Sequence, residues 1–213
     1  RAMFANREEA GRRLAEALKK RGLDDPLVLA IPRGAVPMAR VIAEHLGGDL
    51  DAVLVHKLGA PGNPEFAIGA VDEEGHASVG DWARQLGIDE GYVRAEADRQ
   101  SEALRSRRQR YTPVRSPIPR AGRTVVVVDD GVATGSTMKS ALESVRKAGA
   151  DRVIAAMAVA PPDAVNMLNG VADEVVCLDT PSHFQAVGQF FRDFRQVDDD
   201  EVIAALRAFK GGP

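Results

Sequence analysis

A chain of 213 residues, 45% hydrophobic and 28% charged, has apolar material for one α/β domain, and its net charge of −3 leaves no general nucleic-acid footprint. The single cysteine, Cys177, excludes an internal disulfide and a cysteine-rich metal site. No stretch approaches the ~18 apolar residues of a membrane span, and no secretory signal is visible, so a cytoplasmic protein is expected.

Residues 6–21 read as a helix: Asn6 can cap it, Glu9 stands three residues on, and Ala10, Leu14, Ala17 and Leu18 share a face. Gly22 stops it. Residues 27–31 form a short apolar strand, and the turn P-R-G-A-V-P leads to a helix with Met38, Val41, Ile42 and Leu46 on one stripe. A second strand is expected from Ala52 to Val55, running on to Lys57. A loop rich in glycine and proline, G-A-P-G-N-P, follows it, and a strand resumes from Phe66 to Val71. Asp72, Glu73 and Glu74 read as a solvent-facing acidic turn.

Residues 90–111 form a charged helix with a thin stripe of Val93, Ala97 and Leu104. Its arginines 105, 107, 108 and 110 read as cations at a helix C-terminus, which the dipole favours. After three prolines comes T-V-V-V-V-D-D-G-V-A-T-G-S-T-M, residues 124–138, then a helix with Met138, Ala141, Leu142 and Val145 inward. Strands at 153–159 and 174–178 are joined by a helix starting near Pro162, and an amphipathic helix runs over 199–209. Cys177, in V-V-C-L, reads as a core thiol. Among the histidines, His45 reads as packed or at a boundary, His56 carries no role and His76 reads as solvated. Strands alternating with helices imply a mainly parallel sheet flanked by helices, with no linker long enough to divide the chain in two.

The valine run suits a strand buried on both faces. It ends in Asp129 and Asp130 at its carboxyl end, where open α/β sheets place ligands. The loop beyond them is small and hydroxyl-bearing and enters a helix N-terminus, a natural anion site. Two carboxylates beside a phosphate cradle suit a sugar phosphate. The Walker A spacing and the dinucleotide fingerprint G-x-G-x-x-G are both absent. Arg33, after the first strand in I-P-R-G-A, suits a diphosphate: its fork meets oxygens, and Gly34 lets backbone approach.

The stretch D-D-G-V-A-T-G-S-T-M resembles the phosphoribosyl pyrophosphate (PRPP) loop of type I phosphoribosyltransferases, and I-P-R-G-A resembles their pyrophosphate loop. The order of the pieces also matches that family, and a subgroup of small stand-alone members carries similar K-L-G-A-P-G-N-P-E-F-A-I-G-A-V and A-V-G-Q-F-F-R-D-F stretches. The resemblance implies one domain of that fold over residues 1–213, with a flexible lid at about 57–65 and a C-terminal hood at about 179–213. It implies that Asp129 and Asp130 hold the ribose hydroxyls, and that Gly131, Val132, Ala133, Thr134, Gly135, Ser136 and Thr137 wrap the 5′-phosphate. Arg33, Gly34 and Lys57 would meet the diphosphate, with a cis peptide at Pro32–Arg33. Mg²⁺ is the implied cofactor, near Asp129 and Asp130 and reached through water. His183 and Phe184, in the hood, are the candidates for acceptor contact. Ala133 stands where 6-oxopurine transferases of the family carry an aspartate, which disfavours hypoxanthine and guanine. The implied activity is transfer of a phosphoribosyl group to a nucleobase nitrogen by a homodimer that binds neither nucleic acid nor membrane. A PRPP-sensing regulator of the same fold is the alternative.

Overall fold

The computed structural model describes residues 3–113 and 115–209. In chain order the elements are α1 Arg7–Lys19, β1 Leu27–Ala30, α2 Ala35–Leu46, β2 Asp49–Ala52, β3 Val55–Ala60, β4 Asn63–Asp72, β5 Ala77–Val79, α3 Asp81–Gln85 and α4 Glu90–Tyr111. The second half adds β6 Thr124–Gly131, α5 Ser136–Lys147, β7 Arg152–Val159, α6 Pro162–Asn169, β8 Glu174–Asp179, a short 3-10 turn Val187–Phe190 and α7 Asp199–Ala208.

Five strands form one parallel sheet in the order β2-β1-β6-β7-β8. Alternation along the strands builds two cores. Val28, Ala30, Val126, Val128, Ile154 and Ala156 face Leu14, Ile42 and Val202 of α1, α2 and α7. Leu27, Leu29, Val125, Val127, Val153 and Ala155 face Met138, Leu142 and Leu168 of α5 and α6. Asn6 caps α1 as expected, accepting the Glu9 amide at 2.9 Å, while Glu9 Oε1 accepts the Ala5 amide at 2.9 Å.

Two expectations change in the middle of the chain. The second parallel strand is D-L-D-A, ending at Ala52 rather than running to Lys57. Its aspartates point inward because cations meet them. Asp49 accepts from Arg123 Nη2 at 2.9 Å, and Asp51 accepts from Arg108 Nη1 at 2.7 Å and from the Ile118 amide at 2.9 Å. Secondly, the G-A-P-G-N-P stretch is a β-hairpin. Lys57 pairs with Ala70 across β3 and β4, and only Pro61 and Gly62 separate the strands, with Gly62 at φ +73°. With β5 these strands make a separate antiparallel sheet, packed through Leu58, Ile68 and Val71 against Ala97 of α4.

The acidic turn is not solvated. Asp72 is 4% and Glu73 7% exposed. Asp72 accepts from the Glu74 and His76 amides, His76 Nδ1 and Ser144 Oγ, and its carbonyl accepts from Ser101 Oγ. Arg108 is likewise no surface cation: it is 6% exposed and forks onto Glu73 at 3.0 and 2.8 Å. Burial alone would raise the Asp51 carboxyl, but Arg108, Arg120, the Ile118 amide and Arg115 outweigh it and hold the group below its ordinary range. His45 is exposed, its Nδ1 bonded to the Val41 carbonyl at 2.8 Å.

Candidate functional site

The chain reverses its progress across the sheet at β1. It moves outward to β2, then returns to place β6 on the other side of β1. Such a switch point opens a crevice at the carboxyl ends of the two strands. Three segments meet there: the 32–34 turn after β1, the acidic end of β6, and the loop into α5. The Pro32–Arg33 peptide is cis, at the bond singled out in the sequence.

Gly34 lies against Asp130. A Cβ on Gly34 would sit 2.6 Å from Asp130 Oδ2 and 3.1 Å from Arg7 Nη2, so the turn approaches this closely only without a side chain. Asp130 is pinned at both oxygens. Oδ1 accepts the Gly131 amide at 2.8 Å and Oδ2 accepts Arg7 Nε at 3.1 Å. Asp129 Oδ1 accepts the Asp130 amide at 2.9 Å. Burial, and then the neighbouring Asp130 charge, push the Asp129 carboxyl well above its ordinary value, against a smaller pull from Arg7. Two adjacent carboxylates therefore stand in different environments, one beside a cation and one inclined to keep its proton.

The loop from 131 to 137 divides in two. Gly131 and Val132 direct their amides into the protein, onto Asp130 Oδ1 and onto the Val159 carbonyl at 3.0 Å. The amides of Ala133, Thr134 and Gly135 have no protein partner among the described residues. Gly135 takes φ +84° as the residue before α5, and Thr134 Oγ1 lies 3.2 Å from Ser136 Oγ. The result is an open nest of N–H groups and hydroxyls at the positive end of a helix, which suits a phosphate.

Lys57 sits apart from this crevice, on β3. It lines a groove of about 350 Å³ with Trp82, Ser136, Lys139 and Ser140, so it shares a wall with the start of α5. Arg33 turns towards α7, its Nη1 3.8 Å from Asp199 Oδ1, with 38% of its side chain exposed. His183 is exposed, and Phe184 is half-buried and stacked on Phe190 at 5.4 Å between centroids. Neither makes a hydrogen bond or ion pair with the carboxylates, and the aromatic group of the C-terminal segment packs mainly on itself: Phe191 lies 5.0 Å from Phe194.

Sequence reasoning missed the N-terminal segment. Residues 3–5 bond along 190–193: the Met3 and Phe4 amides donate to the Phe190 carbonyl, the Arg192 amide to Phe4, and the Asp193 amide to Ala5. Arg7 then enters the crevice, with 11% of its side chain exposed. One signal was available. A cation in the first turn of a helix opposes the dipole, so a partner elsewhere was to be expected.

The donor set also bears on Mg²⁺. Asp129 and Asp130 leave lone pairs free, but among the described residues no group of three or more His, Cys, Asp or Glu side chains converges on a metal position. That fits a hard cation carried in on substrate oxygens with several of its waters, and not a resident ion in an all-protein cage.

Comparison with known proteins accords with this geometry. The sequence profile of the phosphoribosyl transferase domain matches residues 3–195. A Mycobacterium tuberculosis (strain H37Rv) protein, provisionally named a phosphoribosyl transferase, is 43% identical over 205 residues, covering 96% of this chain. This chain spans 46% of that relative's length, about half. The crystal structure of TT1426 from Thermus thermophilus superposes with a TM-score of 0.88 at 50% identity, over 95% of this chain and 97% of that one. A Neisseria gonorrhoeae protein solved with bound ppGpp shares the fold alone, at TM-score 0.51 and 16% identity, over 97% of this chain and 96% of that one.

Proposed function

The chain belongs to the phosphoribosyl transferase domain family, and from that premise we propose that it transfers the 5-phosphoribosyl group of PRPP to a ring nitrogen of a nucleobase. The observation that carries this reading is the meeting of Asp129 and Asp130 with an open amide nest at the switch point of the sheet. Sugar hydroxyls suit the carboxylates, and a 5′-phosphate suits the nest one loop away.

In the reaction the bond from ribose C1 to the pyrophosphate oxygen breaks and a bond from C1 to the acceptor nitrogen forms. Pyrophosphate leaves with the electron pair, and the acceptor nitrogen gives up its proton. The protein's share is orientation and charge. The nest of residues 133–137 would anchor the 5′-phosphate, and Asp129 and Asp130 would fix the ribose by its hydroxyls, so that C1 is presented to the acceptor. Arg33 would offset charge gathering on the leaving diphosphate, and Lys57, in the groove beside Ser136, would act on it through its field and not by contact. Mg²⁺ bound to the substrate would neutralise diphosphate charge. The hairpin at 57–65 would serve as the lid, excluding the water that otherwise captures C1. Residues 179–209 would supply the acceptor side, with Phe184 and His183 at hand.

The test is PRPP and Mg²⁺ with each common nucleobase in turn, following pyrophosphate release. Base-dependent release is the expected result. Tight PRPP binding without turnover would favour a sensor. The Asp129→Asn/Asp130→Asn double variant should lose PRPP binding while melting as a folded protein, and unchanged affinity would remove these residues from the site.

A further inference from the structure

Arg7 is a nearly buried cation at the wrong end of a helix. It opens α1, where the dipole disfavours positive charge, and a charge this enclosed needs partners. Its contacts engage two of the three guanidinium nitrogens and one face of the group. Nε donates to Asp130 Oδ2 at 3.1 Å, Nη1 donates to the Arg195 carbonyl at 2.6 Å, and the group lies 4.0 Å above the Phe194 ring. The Gly34 turn closes the remaining side, since a Cβ there would fall within 3.3 Å of Nε. One side chain therefore touches the end of β6, the turn after β1 and the C-terminal segment. None of these is its sequence neighbour.

We propose that Arg7 is a positioning residue for PRPP: it fixes the Asp130 carboxylate for the ribose hydroxyls and ties it to the C-terminal segment. The inference rests on the phosphoribosyl-transfer reading. Asp130 could otherwise rotate about its own side chain. With Oδ1 on the Gly131 amide and Oδ2 on Arg7, its plane is set, and each oxygen keeps a lone pair for a substrate hydroxyl. Burial and the Asp130 charge raise the Asp129 carboxyl, and Arg7 opposes them with a smaller pull. A lysine could supply the charge. It could not reach the carboxylate and the Arg195 carbonyl in the same flat geometry.

The test is PRPP binding by calorimetry, in Mg²⁺, from pH 5.5 to 8.5. It compares the wild type with Arg7→Gln, Arg7→Lys, Asp130→Asn and the Arg7→Gln/Asp130→Asn double variant. Loss of a charge-assisted hydrogen bond predicts that Arg7→Gln binds roughly tenfold or more weakly. Its binding should also fail at a higher pH on the acid side, because Asp129 loses the one cation that opposes its raised proton affinity. Arg7→Lys should keep the acid limb near its wild-type position and still bind several times more weakly. The double variant should bind no worse than Asp130→Asn alone, since the two residues act through one another. A purely structural Arg7 would lower the melting temperature and leave the acid limb unmoved. Wild-type affinity and acid limb in Arg7→Gln, or in Arg7→Lys should the glutamine variant not fold, would overturn the inference while the functional reading stood. A folded wild type that binds no PRPP would overturn both.

Discussion

Replacing Gly34 by alanine should separate function from stability with one methyl group. The added Cβ would lie 2.6 Å from Asp130 Oδ2, whereas ordinary contact begins at 3.4 Å, so the two must part by 0.8 Å (3.4 minus 2.6). The backbone at Gly34 is right-handed helical, with φ −57°, so alanine meets no conformational penalty there. The softest response is rotation of the Asp130 carboxylate. That weakens its bond to Arg7 or to the Gly131 amide, at a cost of about 1–3 kcal/mol. For a chain of this size each kcal/mol lowers the melting temperature by roughly 2–4 °C, so the variant stays folded at room temperature. Function is far less forgiving, because a misplacement near 1 Å can cost about a hundredfold in rate. PRPP affinity and pyrophosphate release should therefore fall by one to two orders of magnitude, roughly, while the melting temperature falls by roughly 2–12 °C. Calorimetry with PRPP and a thermal melt on the same preparation make the comparison. Undiminished PRPP affinity in a folded Gly34→Ala protein would refute the placement of the ribose at Asp130.

Three other outcomes follow from the buried charges. Arg108→Ala strips the fully buried Asp51, and Glu73, of their shared partner. It should cost about 3–5 kcal/mol, read as a fall in urea midpoint, whereas the exposed Arg99→Ala should stay within about 0.5 kcal/mol. Asp129 has a raised folded pKa, so between its ordinary 3.8 and the folded value the native state binds more protons than the unfolded one. The stability it contributes is complete below the unfolded value and is lost as pH rises through the folded one. Asp129→Asn should accordingly raise the melting temperature at pH 7.5 relative to wild type and flatten the decline from pH 4 upward, and an unchanged slope would contradict that burial. Cys177, whose thiol burial pushes up from 9.0 to about 11, should carry roughly a hundredfold less thiolate at neutral pH than an unshifted thiol and resist iodoacetamide accordingly. Alkylation at the rate of a free thiol would show the side chain to be open.

Regular apolar patterns made most of the fold legible. The valine run, the apolar run of β7 and the stripes of α1, α2, α5 and α7 all stand in plain sight, and each element lies where its pattern predicts. Legibility failed where charge is paired out of sight. Of D-L-D-A only Ala52 falls within the expected strand, because nothing in four residues announces that Arg108, Arg115 and Arg120, more than fifty positions later, will meet Asp51. The same cause misplaced Asp72, Glu73 and Arg108, which look solvated one at a time and are buried as partners. The hairpin was hidden by its composition. Two glycines and two prolines between 59 and 64 signal a loop, yet Pro61 and Gly62 alone make the turn, and Pro64 falls at the register shift near Gly59. At the site, the local segments, D-D-G and P-R-G, were readable because their chemistry is contiguous. Arg7 was not, because its meaning lies in contacts 123 and 188 residues away.

That the supposed loop is a hairpin changes how the crevice could exclude water. A free loop would have to order residues on every closure, at about 1–2 kcal/mol of backbone entropy each. Strands already paired incur no such cost. The base of the hairpin is held against two helices. Asp72 joins it to α5 through Ser144 and to α4 through Ser101, and the adjacent Glu73 is locked to Arg108. The tip has no such hold. Residues 61–67 are all exposed, and the aromatic contact there is Phe66 against Trp82, 5.5 Å between centroids, both of them on the surface. Between base and tip the register breaks at Leu58, Gly59 and Ala60. Interrupted pairing of this kind is where a two-stranded ribbon bends most easily. Closure in the proposed mechanism is thus the bending of a preformed tip about Gly59. Lys57 stands on the clamped side of that bend, so it keeps its place beside Ser136 whether the tip is raised or lowered.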